Sequence, residues 1–137
     1  MRNKFSNNYP IINLYKKKSF TSKIVTQMLY GENFTILKKF GNWCKIKLHT
    51  DNYVGFIVKK NFDQPFKPTH KVSVLAANIY GRPYNKAKQN KKLTFSSKIY
   101  VKKKYGSFIK LCVLCYFYCN KIYIRGHLFS HKKHTLQ

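Results

Sequence analysis

The sequence predicts an all-β protein folded as two small β-barrels in tandem. Three observations lead there. Apolar and charged residues alternate with a period of two, the pattern is written twice at a spacing of 65 positions, and no segment carries an apolar stripe of helical period and length. The clearest strand is Cys44-Lys45-Ile46-Lys47-Leu48, whose alternation puts apolar side chains on one face and lysines on the other. Phe34-Thr35-Ile36 reads the same way. Gly41 lies between these two runs, where a tight hairpin needs a positive φ.

Moving the sequence by 65 positions lays the first copy on the second. Asn13-Leu14-Tyr15 falls on Asn78-Ile79-Tyr80, and Phe34 and Ile36 fall on Ile99 and Val101. Lys38-Lys39-Phe40-Gly41-Asn42-Trp43 falls on Lys103-Lys104-Tyr105-Gly106-Ser107-Phe108. Cys44, Ile46 and Leu48 then fall on Ile109, Leu111 and Val113. One extra residue in the later loop sets Phe56, Val58 and Phe62 on Ile122, Ile124 and Leu128. Each copy has room for about five short strands, as a small closed or nearly closed barrel requires.

Between the copies, Pro65 and Pro68 flank Phe66-Lys67, a spacing that suits an extended spacer and not a central strand. The expected division is a first domain over 1–62, a spacer over 63–71, a second domain over 72–129 and a basic tail over 130–137. A domain of this size buries only about 60% of its unfolded surface, so each unit is expected to be marginally stable.

The net charge is +25, from 28 basic and three acidic residues, Glu32, Asp51 and Asp63. Such a field attracts polyanions non-specifically. Hydrophobic residues at 44% and aromatics at 17% exclude a disordered chain. The basic residues are 25 lysines and only three arginines, a poor endowment for reading guanine edges or phosphate forks. The longest apolar run, Leu111 to Tyr118, is too short to span a membrane. No apolar secretory core follows the charged start, so the expectation is a cytoplasmic protein with reduced cysteines.

Three segments of the first copy carry a resemblance. They are Ile24-Val25-Thr26-Gln27-Met28-Leu29-Tyr30-Gly31-Glu32, then Gly41-Asn42-Trp43, then Asp51-Asn52-Tyr53-Val54-Gly55-Phe56-Ile57. In this order they resemble the bacterial SH3 domain (SH3b) of cell-wall dipeptidyl-peptidases, in which two such domains precede an NlpC-type cysteine peptidase domain. Phe66-Lys67-Pro68-Thr69-His70-Lys71-Val72 is similar to that family's junction into its second domain. The resemblance spans residues 11 to about 110 and fades after Lys110. It implies two tandem SH3-like β-barrels.

The resemblance also implies a binding or targeting module for murein peptide or a peptidoglycan fragment, working with an NlpC-type peptidase domain in cis or in trans. The family's nucleophile sits in an Asp-Cys-Ser motif, with a histidine further on. Here none of Cys44, Cys112, Cys115 and Cys119 follows an aspartate, so no catalytic residue is assigned.

The candidate ligand-binding residues are Tyr53, Asp51, Trp43, Tyr30 and Glu32. Flat rings make low-entropy contact surface, and Asp51 or Glu32 could pair with the free amino terminus of a wall peptide. For Trp43 the favoured reading is a place in the barrel core, and for Glu32 a turn whose backbone its carboxylate accepts from.

Cys112, Cys115, His127 and His131 approach a Cys2His2 zinc spacing, but the intervening Tyr-Phe-Tyr-Cys-Asn-Lys-Ile-Tyr-Ile is β-prone where a zinc finger needs a helix. No metal or other cofactor is expected. The competing function is non-specific nucleic-acid binding, through lysine runs such as Lys16–Lys18 and Lys102–Lys104 with Tyr15, Tyr84 and Tyr105 available for stacking.

Overall fold

A computed structural model describes residues 2–101, 103–111, 118–120 and 124–126. The chain divides into two compact units, Met1–Phe66 and Lys67–Gln137. Both are built of short antiparallel strands.

The first unit holds β1 (Lys4–Ser6), β2 (Ile11–Tyr15), β3 (Ile24–Leu29), β4 (Asn33–Phe40), β5 (Trp43–Leu48) and β6 (Val54–Val58). They form one sheet in the order β1-β4-β5-β6-β2-β3. The alternation seen in the sequence decides the faces. Cys44, Ile46 and Leu48 of β5 are buried, as are Ile12 and Leu14 of β2 and Ile57 of β6. Met28 and Phe34 complete this cluster, and Phe5, Tyr9, Val25, Ile36 and Phe62 pack against it. Burying side chains of this size contributes roughly 1.5–3 kcal/mol each, the main favourable term for so small a sheet.

Strand β6 crosses close over β2 at Gly55. A Cβ there would stand 3.1 Å from both Leu14 Cβ and the Tyr15 carbonyl oxygen. The β4–β5 hairpin turns at Gly41 with φ +59°, in the left-handed region that glycine enters without strain.

The second unit holds β7 (His70–Val72), β8 (Ala76–Tyr80), a single 3-10 turn at Asn85–Ala87, β9 (Lys88–Thr94), β10 (Lys98–Ile99), β11 (Lys103–Tyr105), β12 (Phe108–Lys110), β13 (Tyr118–Asn120) and β14 (Ile124–Gly126). The sheets run β11-β12-β13-β8-β9 and β10-β7-β14. Val72, Ala77, Ile79, Leu93, Ile99, Ile109 and Leu111 are buried. Gly106 turns the β11–β12 hairpin with φ +58°, as Gly41 does in the first unit.

Among the described residues the sheets are small and not closed, within the nearly closed form expected, since the strands at the ends of each sheet have one hydrogen-bonded neighbour. The structure corrects the sequence reading in three places. The first unit has six strands and not five, since Lys4–Ser6 pairs with Asn33–Thr35. Of the expected spacer over 63–71, His70 and Lys71 already belong to β7, paired with Lys98–Ile99 and Arg125–Gly126. Asp63 in turn bridges back to Ser6.

The third correction concerns the end of the repeat. In the first unit Trp43, Cys44 and Lys45 face Val58, Ile57 and Phe56. In the second Phe108, Ile109 and Lys110 face Asn120, Cys119 and Tyr118. Phe56 therefore corresponds to Tyr118 and not to Ile122, so the second copy's loop is shorter and not longer. Ladder pairing to two neighbours determines this register, and apolar lettering in a Tyr/Ile-rich stretch does not.

Candidate functional site

Strand β5 separates the sequence-predicted residues into two places. Trp43 begins it, and the loop carrying Asp51 and Tyr53 follows its other end at Leu48. Five residue steps put about 17 Å between those ends.

The loop end is built by backbone bonds. The Leu48 N–H donates to the Tyr53 carbonyl at 2.9 Å and the Asn52 N–H to the Leu48 carbonyl at 3.1 Å. Asn52 takes φ +62°, a conformation asparagine tolerates better than most residues. The Asp51 carboxylate accepts the Tyr53 N–H at 3.2 Å, an Asx turn that braces the loop. Tyr53 is 49% exposed and Asp51 is exposed. Two carboxylate oxygens offer about four acceptor sites, so one accepted bond leaves capacity for a ligand.

The β3–β4 turn lies at the same end, since the His49 N–H donates to the Asn33 carbonyl at 3.0 Å. Here the structure removes two candidates from the ligand-facing surface. Tyr30 is only 2% exposed. Glu32 is 7% exposed, and its carboxylate accepts the Leu29 N–H at 2.7 Å. Gly31 at φ +85° gives the geometry of a type II turn, with the Glu32 N–H on the Leu29 carbonyl. Asn7 braces the turn, its side-chain amide donating to the Met28 and Leu29 carbonyls. The carboxylate serves the turn, which is the structural alternative that the sequence left open.

At the opposite end Trp43 lies on the sheet face turned away from the core, half-buried, which corrects the favoured core reading. Tyr15 meets it edge-on at 5.9 Å between centroids, and Phe20 lies against it at 5.1 Å. Phe20 comes from the polar loop between β2 and β3 and is 68% exposed. Beside them Phe40 and Phe56 pack at 5.9 Å, with Lys18 Nζ 4.1 Å and Lys38 Nζ 5.2 Å from the Phe40 ring centroid. The sequence reading missed Phe20, Phe40 and Phe56. Two of them carried signals: Phe20 is an aromatic inside Lys-Lys-Lys-Ser-Phe-Thr-Ser-Lys, and Phe56 has outward parity beside buried Ile57, whereas Phe40 shares the parity of buried Phe34 and turns outward only through the bulge between Ile36 and Lys38.

Cys44 is the first unit's buried thiol, only 2% exposed. Burial pushes its pKa up, and nearby Lys39 and Lys59 offset only part of that rise. Cys112, Cys115, His127 and His131 lie outside the described residues. Among the described residues no group of His, Cys, Asp or Glu is arranged to hold a metal ion, and no helix is long and apolar enough to cross a membrane.

Comparison with known proteins bears on the first unit directly. Residues 14–61 match the family model of the bacterial dipeptidyl-peptidase SH3 domain. No curated protein matches the chain. Among solved structures, it is similar to an NlpC/P60 family protein from Bacillus cereus, with a TM-score of 0.72 at 14% identity. That similarity covers 89% of this chain and 55% of the other, so the chain spans about half the length of that protein. At such identity the likeness establishes the fold. The resemblance carried by "VTQMLYGE", "GNW" and "DNYVGFI" thus holds over residues 14–61, where the chain is similar to the bacterial dipeptidyl-peptidase SH3 domain.

Proposed function

Proceeding from that similarity, we propose that the chain is a non-catalytic binding unit that holds a murein peptide for a peptidase domain of the NlpC type. The observation that carries this reading is the family match over residues 14–61, which ties this domain to dipeptidyl-peptidases. The Asp51–Tyr53 loop supports it. In a chain of net charge +25, an exposed carboxylate beside an exposed tyrosine is a rare place for a peptide ammonium to settle. The ammonium would donate to Asp51 while the Tyr53 ring covers the first residue of the peptide.

The test is titration of the purified chain with an unblocked wall tripeptide, followed by amide chemical shifts. Shifts confined to the Asp51–Tyr53 loop and its neighbours are expected. Affinity should weaken by about tenfold in Asp51→Asn, the magnitude expected when a charge-assisted hydrogen bond is removed, and the shifts should disappear when the peptide amine is acetylated. No shift at millimolar peptide, or equal shifts with the acetylated peptide, overturns the reading.

A further inference from the structure

The outer face of the β4–β5–β6 sheet carries a feature that peptide binding at the Asp51 loop does not use. Lys38 stands directly across from Lys45 on paired strands, about 5 Å apart at Cβ. Like charges in that position are destabilising. The second unit repeats the arrangement, with Lys103 directly across from Lys110. Rings accompany both pairs: Lys38 Nζ stands 5.2 Å from the Phe40 centroid, and Lys103 Nζ 5.3 Å from that of Tyr105. The edge-on pair Tyr15–Trp43 has a counterpart in Tyr80–Phe108, at 5.9 and 5.0 Å, but those two rings are buried, so the exposed stacking surface belongs to the first unit. A pair of lysines opposite one another in both units, each time beside a ring, concentrates positive charge next to an aromatic surface.

We propose that this face of the first unit binds single-stranded nucleic acid, with a phosphate held between the crossed lysines and a base laid on the neighbouring ring. Charge complementarity selects a polyanion. The rings select one that has flat groups of its own. Phe20 is exposed over most of its surface and already lies against Trp43, so it offers a second stacking plane. A single strand presents its base faces and a duplex hides them. Lysines give no bidentate reading of base edges, so binding is expected to be indifferent to sequence.

The experiment uses the full chain and a labelled single strand of mixed sequence, about 15 nucleotides long, within the 4–16 nucleotides that a single-strand-binding OB fold occupies. A duplex of equal length and inorganic polyphosphate of equal charge serve as comparisons. Trp43 is the only tryptophan, so its fluorescence reports this face alone. The strand is expected to quench Trp43, to bind about tenfold more tightly than polyphosphate, and to bind more tightly than the duplex. Phe20→Ala should weaken binding about fivefold or more with an unchanged melting temperature. Lys38→Gln/Lys45→Gln should reduce the slope of log affinity against log salt by roughly 0.7 for each phosphate that is no longer held. Lys4→Gln/Lys60→Gln, at exposed lysines of the first unit outside the crossed pair, is the charge-matched control.

Unchanged Trp43 emission at saturation overturns the proposal. So does polyphosphate binding as tightly as the strand, which would mark a base-independent anion site, and so does a crossed-pair variant no weaker than the control.

Discussion

The two units share a backbone plan and differ in what is hung on it. The β3–β4 turn and its copy make the same bonds. The Asn7 N–H donates to the Glu32 carbonyl at 2.9 Å, and the Val72 N–H to the Ser97 carbonyl at 3.0 Å. The Gly31 N–H donates to the Asn7 carbonyl, and the Ser96 N–H to the Val72 carbonyl. Yet Gly31 holds its positive φ without strain, and Ser96 takes φ +74° against its own Cβ. A carboxylate caps the first turn, and only a serine hydroxyl stands in its place in the second. Tyr30 is buried, and Phe95 in the same position is 52% exposed. Strand β4 runs unbroken over eight residues, and its copy is the two short strands β10 and β11. The lesson is that pairing register is the robust part of this fold, and that among the described residues the side-chain support for this turn is stronger in the first unit.

Substitutions at matched positions test that comparison. The largest effect is expected in the core. Phe34→Ala should cost about 3–5 kcal/mol and Ile99→Ala about 2–5 kcal/mol, read from urea midpoints by Trp43 fluorescence and far-UV circular dichroism respectively. A larger loss at Ile99 would reverse the ranking of the two cores.

The turns come next. Glu32→Ala should cost about 1.5–3 kcal/mol, because it removes a charged acceptor from a part-buried backbone N–H. A loss within a few tenths of a kcal/mol would show that the carboxylate does not hold the turn.

Exchanging the left-handed residues should move the two units in opposite directions. Ser96→Gly is expected to stabilise, and Gly31→Ser to destabilise, each by about 1 kcal/mol. Gly41→Ala and Gly106→Ala should each cost about 1–2 kcal/mol and equally so, since no atom lies within 4 Å of the added Cβ at either site. Unequal values would show that the two hairpins are not equivalent.

The smallest expected effect belongs to Asp63, whose pKa burial raises. A carboxyl raised in the folded state is favoured there in its protonated form. Its contribution to stability is therefore full below the ordinary carboxylate range and is lost as pH rises through the raised value. Asp63→Asn should stabilise the protein at neutral pH by less than about 0.5 kcal/mol and flatten the pH dependence of unfolding in the acid range. A steeper dependence would contradict the assignment.

Much of this fold was legible in local lettering. The alternation in Cys44–Leu48, the glycines at 41 and 106 and the 65-residue spacing all report constraints that act between near neighbours or between one copy and the other. The sites were less legible. Asp51 and Tyr53 could be placed on an exposed loop because Asx-turn chemistry is local. Tyr30 could not be told from a surface ring, because its burial depends on how the chain packs around a turn shared by residues 7–9 and 28–32. Trp43 was read as core for a similar reason. Its strand parity turns it outward, and only Phe20 and Tyr15, brought from another strand and its loop, half-cover it.

By itself, then, the sequence determined strand faces, hairpin glycines, charge and a pattern that recurs after 65 positions, since these follow from covalent order, backbone sterics and a period of two. The tertiary structure alone decided the register of the last strands, the extra pairing of Lys4–Ser6, the separation of Trp43 from Asp51 and Tyr53, and the crossing of Lys38 with Lys45. Each of these depends on which distant strand becomes the hydrogen-bonded neighbour, a choice made by the ladder as a whole and carried by no single segment.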